Sequence, residues 1–160
     1  MPEDMSKYLV NIKTVQSGAI RILVEALKDI LTDTNIIFDE TGVKLIATDN
    51  SQSVLIHMRL LAEKFESFHC PKKTVIGVNM NNMFKLLKTM VNNDILSIFI
   101  EKNEPNKIGF QINNIDKNSQ TIFKMNLLDI GEDEIKIPPV KFETELTFPS
   151  AEFQKLVRDM

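Results

Sequence analysis

Apolar residues recur at three- and four-residue spacing along the stretch from Ser17 to Leu31. This spacing predicts a helix that buries one face, with Ser17 as its N-cap. The apolar positions are Ala19, Ile20, Leu23, Val24, Leu27, Ile30 and Leu31. Arg21, Glu25 and Lys28 fall on the opposite face, so both basic groups point away from the core.

Two further predicted helices repeat this combination of an apolar face and a paired basic face. One carries Lys85 and Lys88, and the other carries Lys155 and Arg158. Each pair taken alone is typical of a solvated helix face, whereas three pairs on one surface would form a basic track. The formal net charge is -3, so such a track would be local and not a property of the whole surface.

Strand-like alternation surrounds the first two helices and follows the same order twice. It predicts strand–helix–strand–strand–strand in each half, with a period of about sixty-five residues. The predicted strands span 8–15, 35–39, 43–48, 54–60, 65–70, 74–78, 94–100, 107–112 and 119–127. The class is therefore α+β: duplicated βαβββ units with the helices on one face of a curved antiparallel sheet.

An acidic segment with a proline pair interrupts the pattern at 128–140, which predicts an extended, exposed connector. Glu132-Asp133-Glu134 is expected to be solvated, whereas Ile135 and Ile137 alternate and can lie on an apolar surface. A predicted strand at 141–148 and a predicted helix from Pro149 then repeat the strand–helix order with which the chain begins.

These segments suggest a division of the chain into three parts. A strand and half a helix cannot bury a core of their own. We expect a first domain over 1–127, a connecting loop over 128–140, and the truncated start of a second domain over 141–160.

Six short segments together resemble one family in their order and spacing. They are Val24–Asp29, Gly42–Leu45, Ile76–Asn79, Lys124–Asp129, Ile137–Pro138 and Phe148–Phe153. The chain from Lys7 to Met160 resembles the proliferating cell nuclear antigen family, the sliding clamps of eukaryotes, archaea and large DNA viruses. The resemblance implies the DNA-clamp fold: three subunits of two similar domains form a ring, with helices lining the hole and sheets outside.

The activity implied by the resemblance is binding and not catalysis. A clamp encircles duplex DNA without reading sequence, tethers DNA polymerase and other replication and repair proteins, and is opened by a clamp loader. The resemblance implies a homotrimer at full length, in the nucleus or in a cytoplasmic viral replication factory. The matching DNA-facing residues are Arg21, Lys28, Lys85, Lys88, Lys155 and Arg158. Ile22 departs from the family, which often has another basic residue there.

The resemblance also implies two protein-binding surfaces. Partners carry a glutamine–aliphatic–aromatic–aromatic motif that docks in an apolar pocket beneath the connector. The matching pocket residues are Gln52, Ser53, Leu55, Ile135, Ile137, Pro138 and Phe142. The ring closes through a strand edge at 121–126, and the matching interface residues are Thr89, Thr121, Phe123 and Met125. An unpaired apolar edge strand is an association site on physical grounds as well.

Other chemistries have little support in the sequence. None of the five glycines lies near another, which excludes a glycine-rich phosphate loop. His69 and Cys70 are adjacent and would face opposite sides of a strand, so no metal site is expected, and no cofactor is implied. Asp49 fits a turn cap better than a catalytic acid. The single cysteine fits a reducing intracellular compartment, and no membrane partner is expected.

Two alternatives to a homotrimeric clamp remain open. One is a monomeric peptide-binding adaptor that kept the pocket without forming a ring. The other is one subunit of a heterotrimeric checkpoint clamp. The basic helix faces argue against the adaptor, and the matching connector argues against the checkpoint subunit.

Overall fold

The computed structural model describes residues 4–131 and 135–160. Nine strands and three α-helices form in the described part of the chain. The strands are β1 (Tyr8–Thr14), β2 (Asp33–Asp39), β3 (Gly42–Thr48), β4 (Leu55–Leu61), β5 (Ser67–His69), β6 (Thr74–Asn79), β7 (Ile95–Glu101), β8 (Lys107–Asn114) and β9 (Ser119–Asn126). The helices are α1 (Ser17–Lys28), α2 (Met80–Leu87) and α3 (Ser150–Asp159).

The strands form two antiparallel sheets, in the orders β5-β1-β7-β8-β9 and β4-β3-β2-β6. The α+β class and the repeated βαβββ order are therefore confirmed, with β5 as an additional short edge strand at the end of the first unit. The structure adds that the two halves exchange their first strands. β1 pairs with β7 of the second half, and β6 pairs with β2 of the first half.

One hydrophobic core joins both sheets and both of the first two helices. Its members include Val24 of α1, Met83 of α2, Leu45 of β3 and Phe110 of β8. The inward residues of neighbouring strands alternate with outward ones, as expected for sheets with one covered face. Helices α1 and α2 also contact each other directly, so they lie on the same side of the molecule.

The first helix differs from its prediction at both ends. Gln16 is the N-cap and makes no side-chain capping bond, whereas Ser17 is the first helical residue. The helix ends at Lys28, so Ile30 lies beyond it and is exposed, and Ala19 is also exposed. The turn after Lys28 lets Leu31 reach the core. Leu31 is therefore buried as its apolar spacing predicts, although the helix ends before it.

The predicted strand at 141–148 is wrong, because no residue there is in a strand. A strand needs a hydrogen-bonded neighbour, and no described strand pairs with this segment. Helix α3 forms as predicted, but none of its residues is buried. No helix in the described ranges is both long and apolar enough to span a membrane.

Candidate nucleic-acid and partner interfaces

Helices α1 and α2 lie side by side and run in opposite directions. At one end, the Ser17 hydroxyl at the start of α1 donates to the Val91 carbonyl, past the end of α2, at 2.8 Å. At the other end, the Lys28 ammonium lies 5.0 Å from the centre of the Phe84 ring. This arrangement places Arg21 beside Lys88, the C-cap of α2, and places Lys28 beside the α2 residue that precedes Lys85.

The four residues differ in their solvent exposure and in whether an acidic side chain pairs with their charge. Lys85 and Lys88 are exposed. Lys28 is 22% exposed, and its ammonium also binds the Asp29 carboxylate at 2.7 Å. Arg21 is half-buried and lines a groove with Lys88.

Lys155 and Arg158 lie on α3. Both are exposed, and no ion pair or hydrogen bond of the described residues joins α3 to the sheets. The structure thus brings four of the six predicted basic residues together. Ile22 is 59% exposed on α1, which places an aliphatic side chain beside the basic groups.

The loop before β4 carries two of the predicted pocket residues, Gln52 and Ser53, and the third, Leu55, begins β4. Asp49 holds this loop, because its carboxylate accepts hydrogen bonds from the backbone N–H of Ser53 at 2.7 Å and of Val54 at 2.8 Å. The Ser51 hydroxyl, and then these N–H groups, lower the pKa of Asp49. The turn-capping interpretation of Asp49 is confirmed. Gln52 has a left-handed backbone with φ of 56°, and Leu55 is 45% exposed at the start of β4.

The start of the connector is fastened to the sheet of β2 and β6. The Leu128 N–H donates to the Gly77 carbonyl at 2.8 Å, and the Asn35 side chain donates to the Gly131 carbonyl at 2.6 Å. A Cβ at Gly77 would lie 2.3 Å from the Leu128 carbonyl oxygen and 2.9 Å from the Ile130 side chain. Glycine at position 77 is therefore required for this close approach.

The remaining predicted pocket residues lie later in the connector and, for Phe142, just beyond it. Ile135 is half-buried, Ile137 and Pro138 are exposed, and Phe142 is 73% exposed. None of them belongs to the core described above, and no described hydrogen bond joins them to the Leu55 loop. Glu132, Asp133 and Glu134, expected to be solvated, lie outside the described residues.

The predicted association strand forms one edge of the five-stranded sheet. β9 pairs with β8 along its whole length, and its other side has no strand neighbour in the described chain. Phe123 and Met125 turn inward and pack against the core. Thr89, Thr121 and Phe123 line one pocket beside this edge, so the structure brings together three of the four predicted interface residues.

An ion-pair cluster behind β9 was not predicted. The Lys124 ammonium binds Glu101 at 2.9 Å and also binds Glu104, which in turn binds Lys107 at 2.9 Å. Lys124, followed by Lys107, lowers the pKa of Glu104 to about 2, and Glu104, followed by Glu101, raises the pKa of Lys124 to about 12. The cluster joins the β7–β8 turn to β9, a proximity that only the strand register reveals.

The described residues contain no group of three or more His, Cys, Asp or Glu side chains placed to hold a metal ion. Cys70 is buried, and burial raises the pKa of its thiol.

Comparisons with known proteins agree on one family. Residues 9–134 match the family described as "Proliferating cell nuclear antigen, N-terminal domain". The chain is 37% identical over 157 residues to a "Probable DNA polymerase sliding clamp 1" of Paramecium bursaria Chlorella virus 1, and the match covers 98% of this chain and 60% of that protein. It is 29% identical over 145 residues to "Proliferating cell nuclear antigen" of Chaetomium thermophilum, with 91% and 56% covered.

A solved structure supports the same fold. The crystal structure of proliferating cellular nuclear antigen from Entamoeba histolytica superposes with a TM-score of 0.87 at 26% identity, over 95% of this chain and 60% of that one. The chain thus spans 56% to 60% of the length of these relatives.

Proposed function

This chain belongs to the proliferating cell nuclear antigen family, and we propose that it forms part of a sliding clamp that encircles duplex DNA and tethers DNA polymerase. The observation that carries the proposal is the side-by-side packing of α1 and α2, with Arg21, Lys28, Lys85 and Lys88 on one surface. A relative named as a probable DNA polymerase sliding clamp and a relative named as proliferating cell nuclear antigen support it.

The physical requirement of sliding fits a surface of this kind. Contacts to phosphate hold DNA without reading its sequence, whereas contacts to base edges would stop the protein at particular sites. The clamp acts by binding and is not an enzyme. Lys155 and Arg158 complete the DNA-facing set when α3 is packed in its own domain.

The domain division follows from the same proposal. Residues 1–127 form the first clamp domain, 128–140 form the connecting loop, and 141–160 begin the second domain. The exposed apolar side chains of α3 support this division, because a helix with an apolar stripe needs a core to cover it.

Partner proteins dock beside the connector in this proposal. The pocket is formed by Gln52, Ser53, Leu55, Ile135, Ile137, Pro138 and Phe142, and its ligands carry the glutamine–aliphatic–aromatic–aromatic motif. The fastening of Leu128 and Gly131 to the sheet supports a fixed start for this pocket. Replication and repair proteins with this motif, and a clamp loader, are the proposed partners.

The subunits join through the free edge of β9, with Thr89, Thr121, Phe123 and Met125 at the interface, to form a homotrimer at full length. The exposed backbone edge supports this role, because unpaired N–H and C=O groups accept a further strand. The proposed location is the site of DNA replication: the nucleus, or a cytoplasmic viral replication factory if the gene is viral.

Light scattering on the complete natural product of the gene that contains this sequence tests the assembly. A mass of three subunits is expected. A monomer at every accessible concentration would contradict the ring and would favour the peptide-binding adaptor. A trimer that forms only with other gene products would favour the heterotrimeric checkpoint clamp.

A further inference from the structure

The hydrophobic core contains a cavity of about 60 Å³. Its walls come from both sheets and from helices α1 and α2, and every lining residue is Ile, Leu, Val, Met or Phe. Water would find no polar side chain there among the described residues, and an apolar cavity of this kind stays dry. The lining atoms therefore lack part of their dispersion contacts, which an apolar ligand can restore.

A surface groove of about 310 Å³ lies next to this cavity. It runs between the start of α1, the end of β4 and the turn that follows β4. Three half-buried side chains, Ile20, Leu60 and Phe65, line both the groove and the cavity. They therefore form the wall that separates the two spaces.

Phe65 has the least regular backbone in this wall. It directly follows the short 3-10 turn Ala62–Lys64, and its ring lies 5.5 Å from the Phe68 ring, measured between centroids. Ile20 and Leu60, by contrast, are held in α1 and β4. A change of the Phe65 rotamer would therefore open a path for a thin alkyl chain from the groove into the cavity.

Two cations line the groove. Arg59 and Lys64 are both exposed, and Arg59 appears in none of the described ion pairs. The neighbouring carboxylates are engaged, because Glu63 pairs with Lys64 at 3.5 Å and Glu66 accepts a hydrogen bond from the Val15 N–H at 2.9 Å. Asp and Glu are absent from the groove lining in the described chain, so an anionic head group is the complementary one.

We propose that the groove and the cavity together bind a medium-chain alkyl carboxylate. The carboxylate lies beside Arg59 and Lys64, and the alkyl chain passes Phe65 and ends in the core cavity. The combined space is at the small end for a ligand pocket, which suits one unbranched chain better than a ring system. The site uses none of the residues proposed for DNA, partner or subunit contacts, so it goes beyond the clamp function and can fail without affecting it.

Calorimetric titration of the complete natural gene product measures the contribution of the chain. The ligands are sodium butanoate, hexanoate and octanoate, each below its micelle concentration. We expect the affinity to rise about fourfold per added methylene group, the usual gain from burying one. Equal affinities along the series would mean that the chain stays in water, and would overturn the proposal.

Methionine methyl signals in nuclear magnetic resonance spectra locate the bound chain. Met58, Met80 and Met83 line the cavity, whereas Met90 is buried but lies outside its lining. Octanoate should shift the first three signals and leave that of Met90 unchanged. Unmoved cavity signals, or an equal shift of all four, would contradict a chain bound in the cavity.

Matched charge changes test the head group. Arg59→Gln should weaken octanoate binding about threefold, the scale of an exposed ion pair, and should leave the binding of neutral octanol unchanged. Lys73→Gln removes the same charge at an exposed site outside the groove and should change neither. Equal losses of octanoate affinity in the two variants would mean non-specific attraction and would overturn the head-group assignment.

A matched pair of methyl additions tests the tail. Val43 lines the cavity, so Val43→Ile takes up part of its volume and should weaken the binding of octanoate and octanol alike. Val75→Ile adds the same group on β6, outside the cavity lining, and should leave both affinities unchanged. Equal effects of the two substitutions would contradict the tail assignment, and the ligand series on the unsubstituted protein decides the matter if Val43→Ile unfolds.

Discussion

Among the basic side chains of the two helices, Lys28 is distinguished by its partners. Its ammonium binds Asp29 at 2.7 Å and lies over the Phe84 ring, so it joins α1 to α2. Lys85 is exposed and appears in none of the described ion pairs. A charge that is already neutralised contributes less to phosphate attraction than a free one.

We therefore expect Lys28→Gln to weaken DNA binding by less than about twofold, and Lys85→Gln by about fivefold or more. Fluorescence anisotropy with a labelled duplex at low salt measures both. Lys28→Gln should also lower the melting temperature, because it removes the contact with Phe84. Equal losses of affinity would show that Lys28 leaves Asp29 to bind DNA.

Asp39 contributes to the loss of folding stability at low pH. The Lys44 ammonium, followed by the Thr41 hydroxyl, lowers the pKa of Asp39 from 3.8 to about 2. A lowered carboxyl pKa stabilises the folded state above the unfolded-state value, and this stabilisation is lost as the pH falls through the folded-state value. Asp39→Asn should remove that part of the decline between about pH 4 and pH 2.

Denaturant unfolding at a series of pH values tests this expectation. Glu40→Gln is a suitable control, because Glu40 is an exposed neighbour that forms none of the described ion pairs. Parallel stability curves for Asp39→Asn and the unsubstituted chain would contradict the proposed contribution.

Helical spacing was sufficient to predict that Lys85 and Lys88 are exposed, but it also placed Arg21 and Lys28 opposite the apolar face, whereas the structure half-buries both of them. It did not reveal the Arg21 groove. That groove depends on how residues 89–93 fold against α1, which is a contact between distant segments. The N-cap was misplaced for a related reason: the Ser17 hydroxyl is engaged by Val91 and not by its own helix.

Among the larger elements, the connector depends on one glycine of β6. Gly77→Ala places a methyl group against the Leu128 carbonyl and the Ile130 side chain. We expect the hydrogen bond from the Leu128 N–H to the residue 77 carbonyl to break and the Leu128 amide to exchange faster with deuterium. The protein should lose about 1–3 kcal/mol of stability.

Gly131→Ala provides the comparison. Gly131 has a left-handed φ of 74° but open space around it, so this substitution costs backbone strain without a clash. In the Gly131→Ala variant, the Leu128 amide should remain protected from deuterium exchange. Unchanged exchange in Gly77→Ala would mean that the connector is held elsewhere.

The predicted strand at 141–148 shows where element prediction fails. Its residues have the alternation typical of strands, but alternation describes side chains and cannot supply a hydrogen-bonded neighbour. The nine strands that do form each have a partner within the described chain. Periodicity was sufficient for those and located their ends to within a few residues.

For the molecule as a whole, a chain of net charge -3 is expected to bind DNA through one local surface. The logarithm of the affinity should then fall linearly with the logarithm of salt concentration. In the complete natural gene product, the double substitution Lys85→Gln and Lys88→Gln should make this slope shallower by about one unit or more. Lys72→Gln with Lys73→Gln is the matched control, and equal slopes in the two doubles would contradict a localised surface.

The exchange of first strands between the halves has a consequence for synthesis. β1 leaves the ribosome early, but its pairing with β7 must wait until residue 95 and beyond has been made. At typical elongation rates that interval lasts roughly 4–20 s. During it, β1 and the apolar side of α1 have no completed sheet to cover them, so we expect the nascent chain to expose apolar surface that chaperones can bind until β7 and β8 emerge.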